Sequence, residues 1–220
     1  MIRVVVVDDE ALVRSGFELI LSTADDVDVV ATATGAEAAA RTRETRPDVV
    51  LLDIRMPDVD GLTVLRELRT LSKAPVVAVL TTFDTDEYVL AALRSGAAGF
   101  LLKDIEPEQL VQSVRTLAAG GVVLSPKASR TLLHGWPDGD DGSAAVLARL
   151  TGRERDVLEL VSEGLSNAEI GARLHVSAGT VKEHVSAILT KLRVTSRVQA
   201  ALIAQRAGLL QGGDAPRSTG

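Results

Sequence analysis

One strand and one helix can be predicted directly from residues 48–71, which read DVVLLDIRMPDVDGLTVLRELRTL. The run Asp48–Leu52 has the length and apolar character of a buried strand, and Gly61–Leu71 has the apolar spacing of an amphipathic helix. Asp53 lies where the predicted strand ends. The stretch therefore predicts a βα unit that carries a carboxylate at the carboxyl end of its strand.

The same alternation of short apolar runs and amphipathic stretches continues through residues 1–121. Strands are predicted at Ile2–Val7, Val27–Ala33, Asp48–Leu52, Pro75–Leu80 and Ala98–Leu102. Helices are predicted at about Ala11–Ser22, Ala36–Thr45, Gly61–Leu71, Asp84–Ser95 and Pro107–Ala119. Five successive βα units, with strands largely apolar on both faces, predict an α/β fold with a doubly wound, five-stranded parallel sheet. The ligand site of such a sheet lies beyond the carboxyl ends of its strands.

The second half of the chain has a different organisation. Residues 122–148 contain turn-rich and Pro-containing segments typical of a linker, in which one short helix is predicted at Lys127–His134. From Thr151 the pattern is only helical, with helices at about 152–163, 167–174, 178–192 and 196–207. We therefore predict an α/β domain at 1–121, a linker at 122–148, an all-α four-helix domain at 149–210 and a disordered tail at 211–220.

Composition narrows the class of protein and its partners. A chain of 220 residues suits two small domains, and the absence of Cys excludes disulfides and thiolate metal sites. No apolar run is long enough to cross a membrane and no signal peptide is evident, so we expect a cytoplasmic protein. Residues 1–121 contain 12 Lys and Arg against 20 Asp and Glu, a net charge of −8, whereas residues 149–207 contain 9 against 6, a net charge of +3. The acidic half suits a cation site, and the basic half suits a polyanion.

Acidic residues follow two of the predicted strands. Asp8 and Asp9 end the first strand and Asp53 ends the third, so a parallel sheet can bring three carboxylates together. Adjacent carboxylates repel one another, and a hard divalent cation such as Mg²⁺ relieves that repulsion. Lys103 falls at the end of the fifth strand and Thr81 just past the fourth. An ammonium and a hydroxyl that face a bound metal form a site for an oxyanion, for which a phosphoryl group is the natural candidate.

Four segments around these residues resemble the diagnostic segments of CheY-like receiver domains. They are Val7-Asp8-Asp9-Glu10, the acceptor segment Leu51–Gly61, Leu80-Thr81-Thr82, and Gly96–Lys103. In the acceptor segment, Pro57 and Gly61 follow Asp53 by four and eight positions. Each segment is weak evidence alone, but their order and spacing together make the resemblance specific.

The resemblance implies a chemistry for the acidic cluster. Asp53 would accept a phosphoryl group from a sensor histidine kinase. Mg²⁺ would be held by Asp9, Asp53 and the backbone carbonyl of Arg55, with Asp8 assisting through water. Lys103 would neutralise charge on the transferred oxygens.

The resemblance also implies a switch. Thr81 would turn towards the phosphoryl oxygens and Phe100 would swing inward behind it, which would repack the face formed by the fourth helix, fifth strand and fifth helix. Two residues depart from the family pattern, since Asp104 follows Lys103 where many receivers have Pro, and Thr82 is a second hydroxyl beside Thr81. We prefer Thr81 as the switch residue because it directly follows the apolar run.

Two other interpretations of the acidic cluster were weighed. A degenerate receiver would bind neither metal nor phosphate, but the acidic pair, the acceptor, the hydroxyl and the lysine are all present. An aspartate-nucleophile phosphatase also uses Mg²⁺, Asp and Lys on a parallel sheet. Such enzymes place the nucleophile on the first strand with a second Asp two residues later, a spacing that Asp8-Asp9-Glu10 lacks. We therefore predict no enzymatic activity apart from self-phosphorylation and autodephosphorylation at Asp53.

Turn and capping signals organise the helical half. Thr151, with Glu154 three residues later, forms a capping box, and Ser166 begins the second helix. His175–Ser177 makes a three-residue turn before the helix at 178–192. A short helix, a tight turn and a second helix fit the geometry that places the second helix in the major groove of DNA. On periodicity alone, a small three- or four-helix bundle that binds another protein is an interpretation of nearly equal weight. A further interpretation makes the helical half a protein-interaction or RNA-binding module.

Residues 150–203 closely resemble the output domain of NarL/FixJ, or LuxR-type, regulators. The matching segments are Thr151–Leu158, Gly164–Gly171 and Ser177–Val185. The resemblance implies two sets of DNA contacts: base edges for Lys182, Glu183 and Ser186, and phosphates for Thr180, Lys191 and Arg197.

Some positions of this half have alternative interpretations. A carboxylate such as Glu183 is unfavourable near phosphates unless it accepts from a cytosine amino group, so a solvent-exposed ion pair fits it equally well. His184 is interpreted as a partly buried helix residue rather than a ligand. In the family the fourth helix, at Val194–Ala207, carries the dimer contact, although its apolar residues also fit a core. We therefore predict a homodimeric, phosphorylation-activated transcription factor that binds double-stranded DNA.

Overall fold

The computed structural model describes residues 1–82, 86–125, 128, 131, 146–207 and 209. The chain forms two compact units, Met1–Trp136 and Pro137–Gly220. The predicted tail at 211–220 lies outside the described residues, and so do all but two positions of the predicted helix at Lys127–His134. Within the described ranges, no helix combines the length and the apolar composition needed to cross a bilayer.

The first unit is an α/β domain in which strands and helices alternate. Its strands are β1 (Ile2–Val7), β2 (Val27–Ala33), β3 (Val49–Asp53), β4 (Val76–Thr81), β5 (Gly99–Leu102) and β6 (Val123–Leu124). Its helices are α1 (Ala11–Leu21), α2 (Ala38–Thr45), α3 (Gly61–Arg69), α4 (Asp86–Arg94) and α5 (Pro107–Ala118). All neighbouring strands are parallel, in the order β2-β1-β3-β4-β5-β6, which confirms the predicted fold class.

The sixth strand is a difference from the five-stranded sheet that the sequence predicted. Gly120, at a φ of 79°, follows α5 in a turn that returns the chain to the edge of the sheet. There Val123 pairs with Gly99 and Leu124 pairs with Phe100. The region predicted as a linker therefore begins within the sheet. A strand of two residues is too short to produce a detectable alternation in the sequence.

Buried aliphatic side chains on both faces of the sheet explain why the strands are largely apolar. Val4 of β1 belongs to one core with Phe17 of α1 and Leu117 of α5. Val5, the next residue, points to the other face and is equally buried. Parallel sheets covered by helices on both sides have this pattern. Because the strands are parallel, their carboxyl ends all lie on the same side of the domain.

The second unit contains four helices in its described residues: α6 (Gly152–Ser162), α7 (Asn167–Leu174), α8 (Ala178–Leu192) and α9 (Arg197–Arg206). Local capping accounts for the agreement of these bounds with the predicted helices. Thr151 and Ser166 each complete a capping box, and Ser177 accepts the N–H of Thr180 at 3.0 Å. The helices enclose an aliphatic core that includes Leu158, Ile170, Val181 and Ile188.

Candidate metal centre and nucleic-acid interface

Three carboxylates meet at the carboxyl ends of two neighbouring strands. Val7 of β1 pairs with Leu52 of β3, so Asp8 and Asp53 come at adjacent strand ends. Asp8, Asp9 and Asp53 each offer a carboxylate oxygen within 4.8 Å of the other two. Asp8 and Asp53 are buried, whereas Asp9 is nearer to solvent. The structure therefore brings together the three acidic residues singled out in the sequence.

The ammonium group of Lys103 contacts two of these carboxylates. Its Nζ atom is 2.7 Å from Oδ2 of Asp8 and 2.9 Å from Oδ2 of Asp53. Strand β5 positions it, because the backbone N–H of Lys103 donates to the carbonyl of Thr81 at the end of β4. Burial alone would lower the pKa of Lys103, but hydrogen bonds to the two carboxylates outweigh it and raise the pKa. Lys103 is therefore protonated at neutral pH.

At Asp8, in contrast to Lys103, the effect of burial on the pKa is larger than the effect of the hydrogen-bond partners. Burial raises the pKa of the Asp8 carboxyl above its usual value, although Lys103 and the N–H of Glu10 partly offset it. One ammonium group thus does not fully compensate the burial of this carboxylate. A further positive charge would stabilise the ionised cluster, and ligand sets made of oxygen atoms are those that Mg²⁺ prefers. The residues present fit a divalent metal ion.

The two residues predicted to act as a switch are both buried. Thr81 is the last residue of β4, next to the strand that carries Asp53, and is 1% exposed, whereas Thr82 is exposed. The Phe100 side chain on β5 is 0% exposed. The family resemblance implied that the Phe100 side chain swings inward. In this conformation the side chain is already packed inside the domain.

Arg55 makes two contacts that the sequence analysis missed. Its N–H donates to Oδ1 of Asp53 over 3.2 Å, and its guanidinium carbon lies 5.9 Å from the centroid of the Tyr88 ring on α4. A cation–π contact at an exposed site contributes about 0.5–1 kcal/mol. The loop that follows β3 thus touches α4. No local sequence pattern pairs these residues, and the role of the Arg55 carbonyl as a metal ligand stays a prediction.

Gly61 begins α3 directly against the end of β3. A Cβ atom at this position would lie 2.3 Å from the carbonyl oxygen of Asp53 and 2.6 Å from Cα of Ile54. Both neighbours are backbone atoms, which cannot shift without displacing Asp53. The close approach of the two segments therefore requires the glycine that follows Asp53 by eight positions.

The turn between α7 and α8 is as tight as the sequence predicted. His175 ends α7 in the left-handed region at a φ of 55°, and the N–H of Val176 donates to the carbonyl of Gly171 at 2.9 Å. A Cβ atom on Gly171 would lie only 2.7 Å from the carbonyl oxygen of Val176. The turn approaches α7 this closely because position 171 has no side chain.

Helix α8 has a buried side and an exposed side. The buried side is formed by Val181, Ile188 and Leu192. The predicted base contacts Lys182, Glu183 and Ser186 are all exposed. Thr180 is half-buried in the first turn, where its hydroxyl oxygen lies 2.9 Å from that of Ser177, and His184 is also half-buried. These three exposed side chains are one cation, one anion and one hydroxyl.

Lys191, a predicted phosphate contact, is already paired with an acidic residue. Its Nζ atom lies 2.7 Å and 2.6 Å from the two carboxylate oxygens of Glu154 on α6. Glu154 is 6% exposed, and it also closes the capping box with Thr151. Much of the charge of Lys191 is therefore neutralised within the domain, and its pair with α6 gives it a structural role.

The phosphate contact predicted for Arg197 does not agree with this structure. Arg197 is 7% exposed, and its guanidinium group donates to Oδ1 of Asn167 at 2.7 Å and to the carbonyl of Leu165. Burial lowers the pKa of Arg197 to about 10, which still leaves it charged at neutral pH. The guanidinium group holds the start of α7 against the start of α9, so it is not available to a phosphate in this conformation.

Comparison with known proteins identifies both halves of the chain. Residues 4–115 match the response regulator receiver domain, and residues 148–204 match the bacterial regulatory proteins of the luxR family. The protein is therefore a response regulator in which a receiver precedes a LuxR-type DNA-binding domain.

Relatives extend this similarity over nearly the whole chain. The transcriptional regulatory protein LnrK of Bacillus subtilis is 37% identical over 95% of this chain and 99% of its own. The nitrate/nitrite response regulator NarL of Escherichia coli is 37% identical over 90% of this chain and 93% of its own. The solved structure of ChrA, a response regulator of a heme-sensing two-component system, is similar with a TM-score of 0.52 and 36% identity over 94% of this chain and 98% of its own. The chain belongs to the two-component response regulators of the NarL/FixJ family.

Proposed function

We propose that this protein is a transcription factor switched by Mg²⁺-dependent phosphorylation of Asp53 by a sensor histidine kinase in the cytoplasm. The observation that carries the proposal is the contact of Lys103 with Asp8 and Asp53, at 2.7 Å and 2.9 Å, within a cluster of three carboxylates. A structural ion pair needs one carboxylate for one ammonium group. The additional carboxylates leave negative charge that suits a metal ion and, through it, a phosphoryl group.

The proposed metal ligands are oxygen atoms of the cluster. Asp9 and Asp53 would bind Mg²⁺ through their carboxylates and Arg55 through its carbonyl, with Asp8 assisting through water. When bound, Mg²⁺ would neutralise charge on the phosphoryl oxygens during transfer.

Asp53 would act as the nucleophile. One carboxylate oxygen would form a bond to phosphorus while the N–P bond of the kinase phosphohistidine breaks, and the imidazole would keep the bonding electrons. In the structure, Oδ1 of Asp53 accepts from the N–H of Arg55 and Oδ2 accepts from Lys103. Lys103 and the Thr81 hydroxyl would donate to phosphoryl oxygens in the product. We propose no chemistry beyond formation and hydrolysis of this acyl phosphate.

The exposed side of α8 would read DNA. Lys182, Glu183 and Ser186 would enter the major groove, and Thr180 would contact a phosphate near the start of the helix. Phosphorylation of the receiver would favour a homodimer, whose two recognition helices would bind two half-sites.

A phosphorylation assay tests the first step. The wild-type chain and the Asp53→Asn variant are incubated with MgCl₂ and a small-molecule phosphodonor, and incorporated phosphate is measured by intact-protein mass spectrometry. We expect one phosphoryl group on the wild-type chain and none on Asp53→Asn. The matched control is Asp58→Asn, which changes an exposed carboxylate of the same loop and should leave incorporation unchanged. Incorporation by Asp53→Asn at the wild-type level would contradict the proposal.

Selection of bound sequences from random DNA tests the second step. We expect the phosphorylated chain to enrich a site with two similar half-sites, and analytical ultracentrifugation to show a dimer that depends on the phosphodonor. A gel shift that gives tighter binding to RNA than to the selected DNA would instead favour an RNA-binding role for the helical half.

A further inference from the structure

Arg14 on α1 contacts the backbone of both neighbouring acidic residues. Its Nη1 atom donates to the carbonyl of Asp8 at 2.7 Å and to the carbonyl of Asp9 at 3.0 Å. The side chain is half-buried. Neither the sequence motifs nor the proposed phosphoryl chemistry assigns a role to this residue.

The turn that carries Asp8 and Asp9 depends on few other interactions. In the described part of the chain, no backbone N–H donates to either of the two carbonyls. Glu10 is the N-cap residue of α1, and its side chain makes no capping hydrogen bond. Three further hydrogen bonds restrain the turn. The N–H of Asp8 donates to the carbonyl of Ala33 at 3.1 Å, the N–H of Glu10 donates to Oδ1 of Asp8 at 3.0 Å, and the N–H of Arg14 donates to the carbonyl of Glu10 at 3.1 Å. Arg14 thus supplies two of the hydrogen bonds that fix the peptide planes of this turn.

Among the three carboxylates, the orientation of Asp9 depends most on these backbone hydrogen bonds. The carboxylates of Asp8 and Asp53 both contact Lys103, and each also accepts a backbone N–H. Among the described residues, the Asp9 carboxylate has no hydrogen bond or ion pair of its own. Its direction towards the cluster is therefore set by the backbone to which it is attached, and Arg14 holds that backbone.

We propose that Arg14 is a positioning residue of the metal site, which holds the Asp8–Asp9 turn so that the Asp9 carboxylate faces Asp53. This inference rests on the proposed function, because it concerns the same Mg²⁺ site. Two effects of Arg14 on Mg²⁺ oppose each other: its positive charge repels the cation, and its hydrogen bonds preorganise a ligand. Partners that orient metal ligands typically change metal affinity by about 10–100-fold, which exceeds the repulsion expected across a solvated site.

Magnesium binding measured directly can separate the two effects. The ¹⁵N-labelled full chain is titrated with MgCl₂, and the dissociation constant is obtained from amide chemical shifts. We expect Mg²⁺ binding to be about tenfold weaker in Arg14→Met, and weaker by a smaller factor in Arg14→Lys, which keeps the charge but has a shorter and more strongly hydrated cationic side chain. Arg66→Met is the matched control, because Arg66 also donates from a helix to a backbone carbonyl, that of Leu62, at 3.1 Å.

The phosphorylation assay supplies a second readout. The Mg²⁺ concentration that gives half-maximal phosphorylation should rise in Arg14→Met by the same factor as the dissociation constant, while the rate at saturating Mg²⁺ stays near that of the wild-type chain. A variant that is only less stable would lose active protein without a change in its Mg²⁺ dependence, and thermal unfolding in EDTA measures that loss.

The outcomes distinguish this inference from the proposed function. Equal dissociation constants for the wild type and both Arg14 variants would overturn the positioning role, as would tighter binding by Arg14→Met, because repulsion would then be the larger effect. Failure of the wild-type chain to bind Mg²⁺ would overturn the metal site itself, and the inference with it.

Discussion

The ammonium nitrogen of Lys103 donates a 2.9 Å hydrogen bond to Oδ2 of Asp53, across a sequence separation of 50 residues. Two parallel strands, β3 and β5, lie on either side of β4, and their carboxyl ends bring the two side chains together. The same ammonium group is 2.7 Å from Asp8, so it is shared between two carboxylates.

Replacement of this lysine should separate phosphoryl transfer from metal binding. We expect Lys103→Met to phosphorylate at least about 100-fold more slowly, the size of effect seen when one donor to a developing oxyanion is removed. Mg²⁺ binding should be unchanged or tighter, because a competing cation leaves the carboxylates. Rates are measured with a small-molecule phosphodonor and affinity by NMR titration. Lys73→Met, a change outside the cluster, serves as the control, and a parallel loss of Mg²⁺ affinity in Lys103→Met would contradict this assignment.

The pair between Glu154 and Lys191 should make the stability of the helical domain depend on pH. Burial alone would raise the pKa of Glu154, but hydrogen bonds from Lys191 and Thr151 outweigh it and lower the pKa below the usual value of 4.5. A lowered pKa in the folded state contributes stability above the unfolded-state pKa, and this contribution is lost as the pH falls through the folded-state pKa.

We therefore expect Glu154→Gln to reduce the free energy of unfolding at about pH 7 by about 1–3 kcal/mol, and by less at about pH 3. Urea unfolding followed by circular dichroism at both pH values measures the difference. The control is Asp156→Asn, whose carboxylate is exposed and lies 3.9 Å from Arg153, and which should change stability little at either pH. A destabilisation by Glu154→Gln that is the same at both pH values would count against the ion pair as its cause.

The turn before α8 should not tolerate a side chain at Gly171. A methyl group there would lie 2.7 Å from the carbonyl oxygen of Val176, so Gly171→Ala should destabilise the domain by about 1–3 kcal/mol. Gly179→Ala is the matched control, because its Cβ atom would meet only the Ser177 hydroxyl at 3.6 Å. Since Ala favours helices over Gly, the control should be neutral or stabilising by up to about 1 kcal/mol. Thermal unfolding compares the two, and equal effects would show that the turn can relax.

Lys182 should contribute to DNA sequence recognition. We expect Lys182→Ala to weaken binding to the selected site by about 1–3 kcal/mol, with a smaller effect on random DNA. Binding is measured by fluorescence anisotropy over a series of salt concentrations. Lys73→Ala removes the same charge from the receiver and should leave DNA affinity unchanged. An equal loss on both DNAs, with a shallower salt dependence, would reassign Lys182 as a phosphate contact.

Much of the fold and of the acidic cluster followed from sequence alone, because the relevant signals are local or follow from strand order. The five predicted strands of the first unit are short and largely apolar, and Asp8 and Asp53 lie at the carboxyl ends of two of them, so a parallel sheet is sufficient to predict that they meet. Three helices of the second unit follow the N-cap residues Thr151, Ser166 and Ser177, whose caps involve residues only three positions away. Such signals need no knowledge of the tertiary structure.

Only the tertiary structure decided which charged side chains have partners. Lys191 and Arg197 look like surface cations in the sequence, but Glu154 lies 37 positions from Lys191, and Leu165 lies 32 positions from Arg197. The bonds from Arg14 to two consecutive carbonyls were equally invisible, because backbone carbonyls occur at every position and carry no sequence signal. Whether a cation is paired depends on which groups the fold places within hydrogen-bonding distance and shields from water, and neither quantity is local in the chain.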